Sequence, residues 1–228
     1  MSEEEIELDF ARTDRIGFGE AVFCINKTPK QINLILDQTR SKGAAILVTR
    51  LSQDKYEELS EINRRDLDYD PGSETGFFMF QRKRPLPEQV AIISAGTSDA
   101  KVAKEASRTL DFNYISSKLF LDLGVAGLWR LTSQIESIKQ YPVIIAVAGM
   151  DAALISVLGG LVSSVIIAVP TSTGYGMARE GKTALAASLA SCAPGVVVCN
   201  IDNGYGAACG AIRVIQSANP RFPTDKDK

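Results

Sequence analysis

Three carboxylates in this chain stand in glycine-bearing loops beside apolar runs, where side chains line a ligand crevice. Asp99 closes AGTSD (95–99), Asp151 lies in AGMDAAL (148–154), and Asp202 lies in NIDNGYG (200–206). A fourth loop, PTSTGYG (170–176), supplies Thr171, Ser172, Gly174 and Gly176. A carboxylate so placed can move a proton, or it can simply cap the helix that follows. Glycine amides, hydroxyls and a helix N-terminus beside it suit a phosphate or a carboxylate. The chain has no histidine. That removes the commonest general acid–base, the commonest metal ligand and every Ser–His or Cys–His nucleophile pair. Chemistry must therefore use carboxylates, Lys, Tyr, Cys, backbone amides or the substrate itself.

The runs that lead into these loops are VAIIS (90–94), VIIAVA (143–148), VIIAV (165–169) and GVVVC (195–199). They are apolar at nearly every residue and rich in Val and Ile, the pattern of parallel strands buried on both faces. Such sheets bind ligands beyond the carboxyl ends of their strands. All four loops sit at that end, so one shared site is expected. It is not a dinucleotide fingerprint, because GxGxxG is absent after the first run. Among the cysteines, Cys24 and Cys199 read as core and Cys209 as helix packing. Cys192, in SCAPG (191–195), sits at a helix-to-strand corner. A helix C-terminus disfavours a thiolate, so a reactive Cys192 requires an activating partner.

At 228 residues the chain is long enough for one large domain, or for a full domain plus a small one. Residues 1–84 read as a small N-terminal α/β module and linker. It has an extended arm to about residue 20, a strand AVFCI, a helix capped by Thr28 and Pro29, a strand AAILVT and a helix from Ser52 to about Leu59. A polar, turn-rich stretch, a strand FFMFQ and a basic linker RKRPLPEQ follow. Residues 85–217 alternate strands with helices predicted over about 98–110, 127–138, 177–191 and 206–217, the last strand covering 196–201. The fold class is α/β, with a three-layer α/β/α parallel sheet in this larger domain. Residues 218–228 read as a flexible tail. A net charge of −2 lacks the basic stripe of a nucleic-acid binder. The N-terminus is acidic rather than a leader, and the long apolar region 143–170 is broken by glycines, serines and Asp151, so no membrane span is expected. Four cysteines without metal spacing fit a reducing, cytoplasmic setting.

The motifs IGFGEAVFCINKTPKQI, AGTSDAKVAKEA, LDLGVAGLWRL, VAGMDAALISVLGGLV, AVPTSTGYG and SCAPGVVVCNIDNGYGA, in this order, resemble the LarB family. This is the pyridinium-3,5-biscarboxylic acid mononucleotide synthase of nickel-pincer nucleotide biosynthesis. The resemblance covers about residues 8–216 and implies a PurE-like (AIR carboxylase-like, flavodoxin-like) C-terminal domain. It also implies a reaction. Nicotinic acid adenine dinucleotide is carboxylated by CO2 at the pyridinium C5, and its phosphoanhydride is hydrolysed to release AMP, with neither biotin nor ATP. Cys192 matches the family's nucleophile. Asp151 stands where the family usually has glutamate, one methylene longer, and is the corresponding base. Gly96, Thr97, Ser98, Asp99, Gly149, Met150, Thr171, Ser172, Gly174, Gly176, Asp202 and Asn203 are the implied substrate-binding positions. Mg2+ is the expected aid to phosphoanhydride cleavage, by neutralising charge, though no dedicated cage is readable. The expected partners are the two substrates and further copies of the chain, an octamer with sites shared between subunits, with neither nucleic acid nor membrane. Two alternatives remain at this stage. One is an AIR carboxylase or mutase of the purine type, which the absence of histidine opposes. The other is a non-catalytic nucleotide-binding regulator.

Overall fold

A computed structural model describes residues 6–81 and 87–218, which form two compact units divided between Arg84 and Pro85. The linker residues 82–86 and tail residues 219–228 lie outside the described residues. In the N-terminal unit, α1 (Arg12–Ile16) interrupts the arm that the sequence reads as extended. Strand β1 (Ala21–Phe23), helix α2 (Pro29–Ser41) and strand β2 (Ile46–Thr49) make a parallel crossover. Helix α2 starts where Thr28 and Gln31 cap each other reciprocally, with proline at the first helical position. Its Ile32, Ile35 and Leu36 pack with Val22, Ile46, Val48 and Phe78 as the core of this unit.

The turn-rich stretch of the sequence holds more structure than its composition suggests. The helix expected from Ser52 is present as α3 (Gln53–Glu57). Within the turn-rich stretch the short helix α4 (Glu61–Arg65) is followed by a hairpin of β3 (Leu67–Asp70) and β4 (Thr75–Phe78), the last overlapping the FFMFQ run read as a strand. Strand β4 pairs antiparallel with β2, so the sheet runs β1-β2-β4-β3. Asp70 accepts the Ser73 N–H at 2.9 Å, and Ser73 and Thr75 share a hydrogen bond at 2.7 Å, which closes the hairpin turn. This hairpin lacks the Asn-Gly signal that makes such turns legible.

The C-terminal unit is the expected α/β/α sandwich. Its strands are β5 (Glu88–Ser94), β6 (Ser116–Phe120), β7 (Val143–Ala148), β8 (Val165–Pro170) and β9 (Val197–Val198), all parallel, in the order β6-β5-β7-β8-β9. Every residue of β7 is buried, as are five of the six in β8, which explains their unbroken apolar runs. Helices α5 (Ala100–Phe112) and α9 (Gly204–Ala218) pack together on one face. Helices α6 (Leu128–Ile138), α7 (Ala153–Gly159) and α8 (Lys182–Leu189) supply Leu131, Leu154, Leu158 and Ala184 to the core on the other. The chain order reverses between β5 and β7, the point at which doubly wound sheets open a crevice.

Two elements are shorter than the sequence predicts. Helix α8 begins at Lys182 rather than near 177, because Arg179, Glu180 and Gly181 all take left-handed conformations. A β-carbon at 181 would also stand 2.7 Å from the Thr171 carbonyl oxygen. Strand β9 pairs over two residues only, so Cys199 is half-buried rather than core. Among the described residues no helix is long and apolar enough to cross a membrane.

Helices α5 and α9 meet at Gly204, where a β-carbon would stand 2.3 Å from the Val102 carbonyl oxygen. Gly204→Ala is therefore expected to destabilise the C-terminal unit by about 1–3 kcal/mol, read from its urea midpoint.

Candidate functional site

The four glycine loops do meet at the carboxyl ends of β5, β7, β8 and β9, and hydrogen bonds fasten them to one another. After β5, Asp99 turns back so that its Oδ2 accepts the Gly96 N–H at 2.9 Å. Its Oδ1 accepts the Thr171 hydroxyl at 2.6 Å, in the loop after β8. After β7, the Met150 N–H donates to the Thr173 carbonyl at 3.0 Å. After β9, the Asp202 N–H donates to the Pro170 carbonyl, and its Oδ1 accepts the Ser172 N–H, both at 2.8 Å. Asn203 caps α9, its Oδ1 accepting the Gly206 N–H at 2.8 Å.

Glycine is required at two of these contacts. A β-carbon at 149 would stand 2.5 Å from the Thr173 carbonyl oxygen and 2.7 Å from Thr171 Oγ1. Gly174 has φ 134°, and a β-carbon there would stand 2.6 Å from that of Ala178. The backbone around Asp151 is unusual as well: Met150 and Ala152, on either side of it, are both left-handed. That geometry leaves Asp151 exposed at the crevice, with its Oδ1 accepting the Ala153 N–H at 3.3 Å. Thr97, Ser98, Met150, Ser172, Gly174 and Gly176 are exposed on the same end, whereas Asp99, Gly149 and Thr171 are buried.

A guanidinium that the sequence reading did not single out joins this end. Arg130 donates to Asp122 Oδ2 at 2.6 Å, and its side chain folds over Gly127, where a β-carbon would stand 2.8 Å from Nε. Asp122 is in turn placed by its own N–H, which donates to Ser94 Oγ at 3.3 Å. Gly124 lies against the Ala95 carbonyl oxygen, which joins this loop to the one carrying Gly96. The legible signal was an arginine following a glycine-rich loop, GVAGLWR, after a strand.

Cys192 is not brought to the crevice of its own chain. Helix α8 carries the chain back along the sheet, and Cys192 precedes β9, at the amino end of the strands. Its neighbour Ser191 shares a 2.8 Å hydrogen bond with Ser156 of α7. A β-carbon on Gly159, the last residue of α7, would press on Ala193 at 2.4 Å. Asp151 lies before the first turn of that helix. Its length, about 10 Å at 1.5 Å per residue, separates the two groups within one chain. Cys192 is nonetheless the exposed thiol of the four; Cys24 is buried, Cys199 and Cys209 are half-buried.

Residues 4–79 match the LarB/PurE-like N-terminal domain, and residues 89–225 match the AIR carboxylase domain. An uncharacterized protein of Methanocaldococcus jannaschii is 34% identical over 212 residues, covering 90% of this chain and 82% of its own. The chain belongs to the LarB family. Its C-terminal unit is thus the PurE-like, carboxylase-type domain of that family. Among solved structures, a substituted PurE2 of Treponema denticola is similar at 15% identity and a TM-score of 0.45, over 62% of this chain and 97% of its own. As for Mg2+, no group of three or more Cys, Asp or Glu side chains gathers to hold a metal among the described residues. These residues do not form a magnesium cage, and no step proposed for this chain passes through a metal.

Burial pushes the Cys24 thiol up to about 12, against the pull of Lys27 and Lys55. Brief alkylation of the folded LarB-family chain with iodoacetamide near pH 8 is expected to mark Cys192 first and leave Cys24 untouched, as read by peptide mass.

Proposed function

We propose that this chain carboxylates nicotinic acid adenine dinucleotide with CO2 and hydrolyses its phosphoanhydride, giving pyridinium-3,5-biscarboxylic acid mononucleotide and AMP. The observation that carries this reading is that a LarB-family chain with no histidine keeps both an exposed thiol, Cys192, and an exposed carboxylate, Asp151, in the loop after β7. A pyridinium ring is electron-poor and its carbons do not attack CO2. Addition of the Cys192 thiolate to the ring carbon beside C5 moves an electron pair toward the ring nitrogen, and the product is an enamine. C5 is then nucleophilic and forms its new bond to CO2. Asp151 takes the C5 proton, and the returning electron pair expels the thiolate and restores the aromatic ring. Water cleaves the phosphoanhydride. The Gly96 loop and the hydroxyls of Ser98 and Ser172 suit the phosphates and ribose. Arg130, a fixed guanidinium beside that loop, suits a carboxylate or phosphate of the substrate.

Because α7 separates Cys192 from Asp151 within one chain, the mechanism requires Cys192 of one copy to meet Asp151 of a second. Apolar side chains are exposed at both ends that would meet: Leu189 and Val197 on the side of Cys192, Met150, Tyr175 and Met177 on the side of Asp151. Surfaces of this kind mark contacts between subunits.

Incubating the chain with the dinucleotide, bicarbonate and Mg2+ should yield AMP and a mononucleotide heavier by one CO2, followed by mass spectrometry. Absence of that product, beside an active control enzyme, would refute the function. Cys192→Ala should abolish carboxylation, and an undiminished rate would refute the covalent route alone. Cys192→Ser and Asp151→Asn should each be inactive, yet recover about a quarter of wild-type activity when co-expressed in equal amounts, as random mixing in a symmetric oligomer requires. Sites completed within one chain would recover none.

A further inference from the structure

We propose that Asp99 and Thr171 form a positioning pair that holds the Asp151 loop in place and does not touch the substrate. Asp99 is 2% exposed and Thr171 1%. Each Asp99 oxygen already accepts a hydrogen bond, one from the Gly96 N–H and one from Thr171. The Thr171 hydroxyl has a single hydrogen, and it is the one donated to Asp99. Strands β5 and β8 are not neighbours, since β7 lies between them. The bond from Asp99 to Thr171 therefore passes across the end of β7, where the loop of Asp151 begins.

Thr171 transmits this constraint by contact. Its own N–H donates to the Ala148 carbonyl at 2.9 Å, which ties it to the last residue of β7. Its Oγ1 lies so close to Gly149 that a β-carbon there would stand at 2.7 Å. Two residues on, the Thr173 carbonyl receives the Met150 N–H. The left-handed turns at Met150 and Ala152 thus start from a backbone gripped on one side by Thr171 and Thr173. Without the Asp99 carboxylate, the Thr171 side chain is free to rotate away from Gly149, and the turn that presents Asp151 loses its support. The catalytic consequence rests on the reaction proposed above; the mechanical one does not.

The test uses the full chain with Thr171→Val, which keeps the shape and removes the donor, and Thr171→Ser, which keeps the donor. Hydrogen exchange at the Met150–Ala153 amides is measured in the unliganded protein. Thr171→Val is expected to accelerate it by about tenfold or more, with β5 and β7 amides unchanged, while Thr171→Ser stays within about twofold of wild type. Exchange unchanged in Thr171→Val overturns the proposal. Should Thr171→Val not fold, Thr171→Cys, whose thiol is a weak donor, is judged by the same criteria. With the dinucleotide as substrate, Thr171→Val should lower kcat by about tenfold or more and leave KM within about threefold, with Thr171→Ser restoring kcat. A raised KM with kcat intact shows that the pair touches substrate and overturns the proposal. If the wild-type chain does not turn over the dinucleotide, the proposed function fails while hydrogen exchange still decides the positioning role.

Discussion

A carboxylate removed from water must have its oxygens hydrogen-bonded, and the buried Asp99 meets that demand with two partners from different loops. The carboxyl end of the parallel sheet is organised around this requirement. A parallel strand ends in free carbonyls and feeds a loop that must turn at once into a helix, so neighbouring loops crowd each other. Here the crowding is resolved by absent side chains at Gly149 and Gly174 and by carboxylates that accept the loop amides. The three acids of these loops consequently differ in kind. Asp99 is buried and doubly bonded, Asp202 is partly buried and fastened to Ser172, and Asp151 is exposed.

The same topology sets Cys192 and Asp151 at opposite ends of the sheet within one chain. In an alternating parallel sheet, every loop after a strand lies at one end and every loop after a helix at the other. Asp151 follows β7 and Cys192 follows α8, so they fall at opposite ends. A purine-type enzyme drawing on histidine has no such residue to use in this chain. The covalent route proposed above uses Cys192, and with this topology that proposal calls for a second copy. Leu189, Val197, Tyr175 and Met177 are exposed on this unit.

The central sheet was legible because strands buried on both faces admit only apolar residues, as in VIIAVA and VIIAVP. The four loops and their shared end followed from those strands. The kink at 179–181 was not legible, since Ala, Arg, Glu and Lys favour helix and nothing local announces left-handed Arg179 and Glu180. Close packing of Gly181 on Thr171 overrides that preference. The first strand of the β3–β4 hairpin was missed because LDYD, although it alternates Leu67 and Tyr69 with Asp68 and Asp70, spans only four residues of a polar, turn-rich stretch; the second overlaps the FFMFQ run that reads as a strand. Arg130 was overlooked because an arginine after a glycine-rich loop is a common pattern; its side chain folding over Gly127 is visible only in the structure.

The aspartate at 151 fits the local backbone. An aspartate reaches the N–H two residues ahead, and Asp151 does so at Ala153. A glutamate is one methylene too long for that short ring and would extend into the crevice. The shorter acid is therefore steadied by its own turn, with its second oxygen directed away from that bond. An acid held close to its loop reaches only what comes to the loop, so the position of the loop itself decides what it meets. The left-handed residues on both sides of Asp151 and the grip of Thr171 and Thr173 on Gly149 and Met150 supply that position. In this chain the backbone of the loop, more than the length of the side chain, fixes where the Asp151 carboxylate stands.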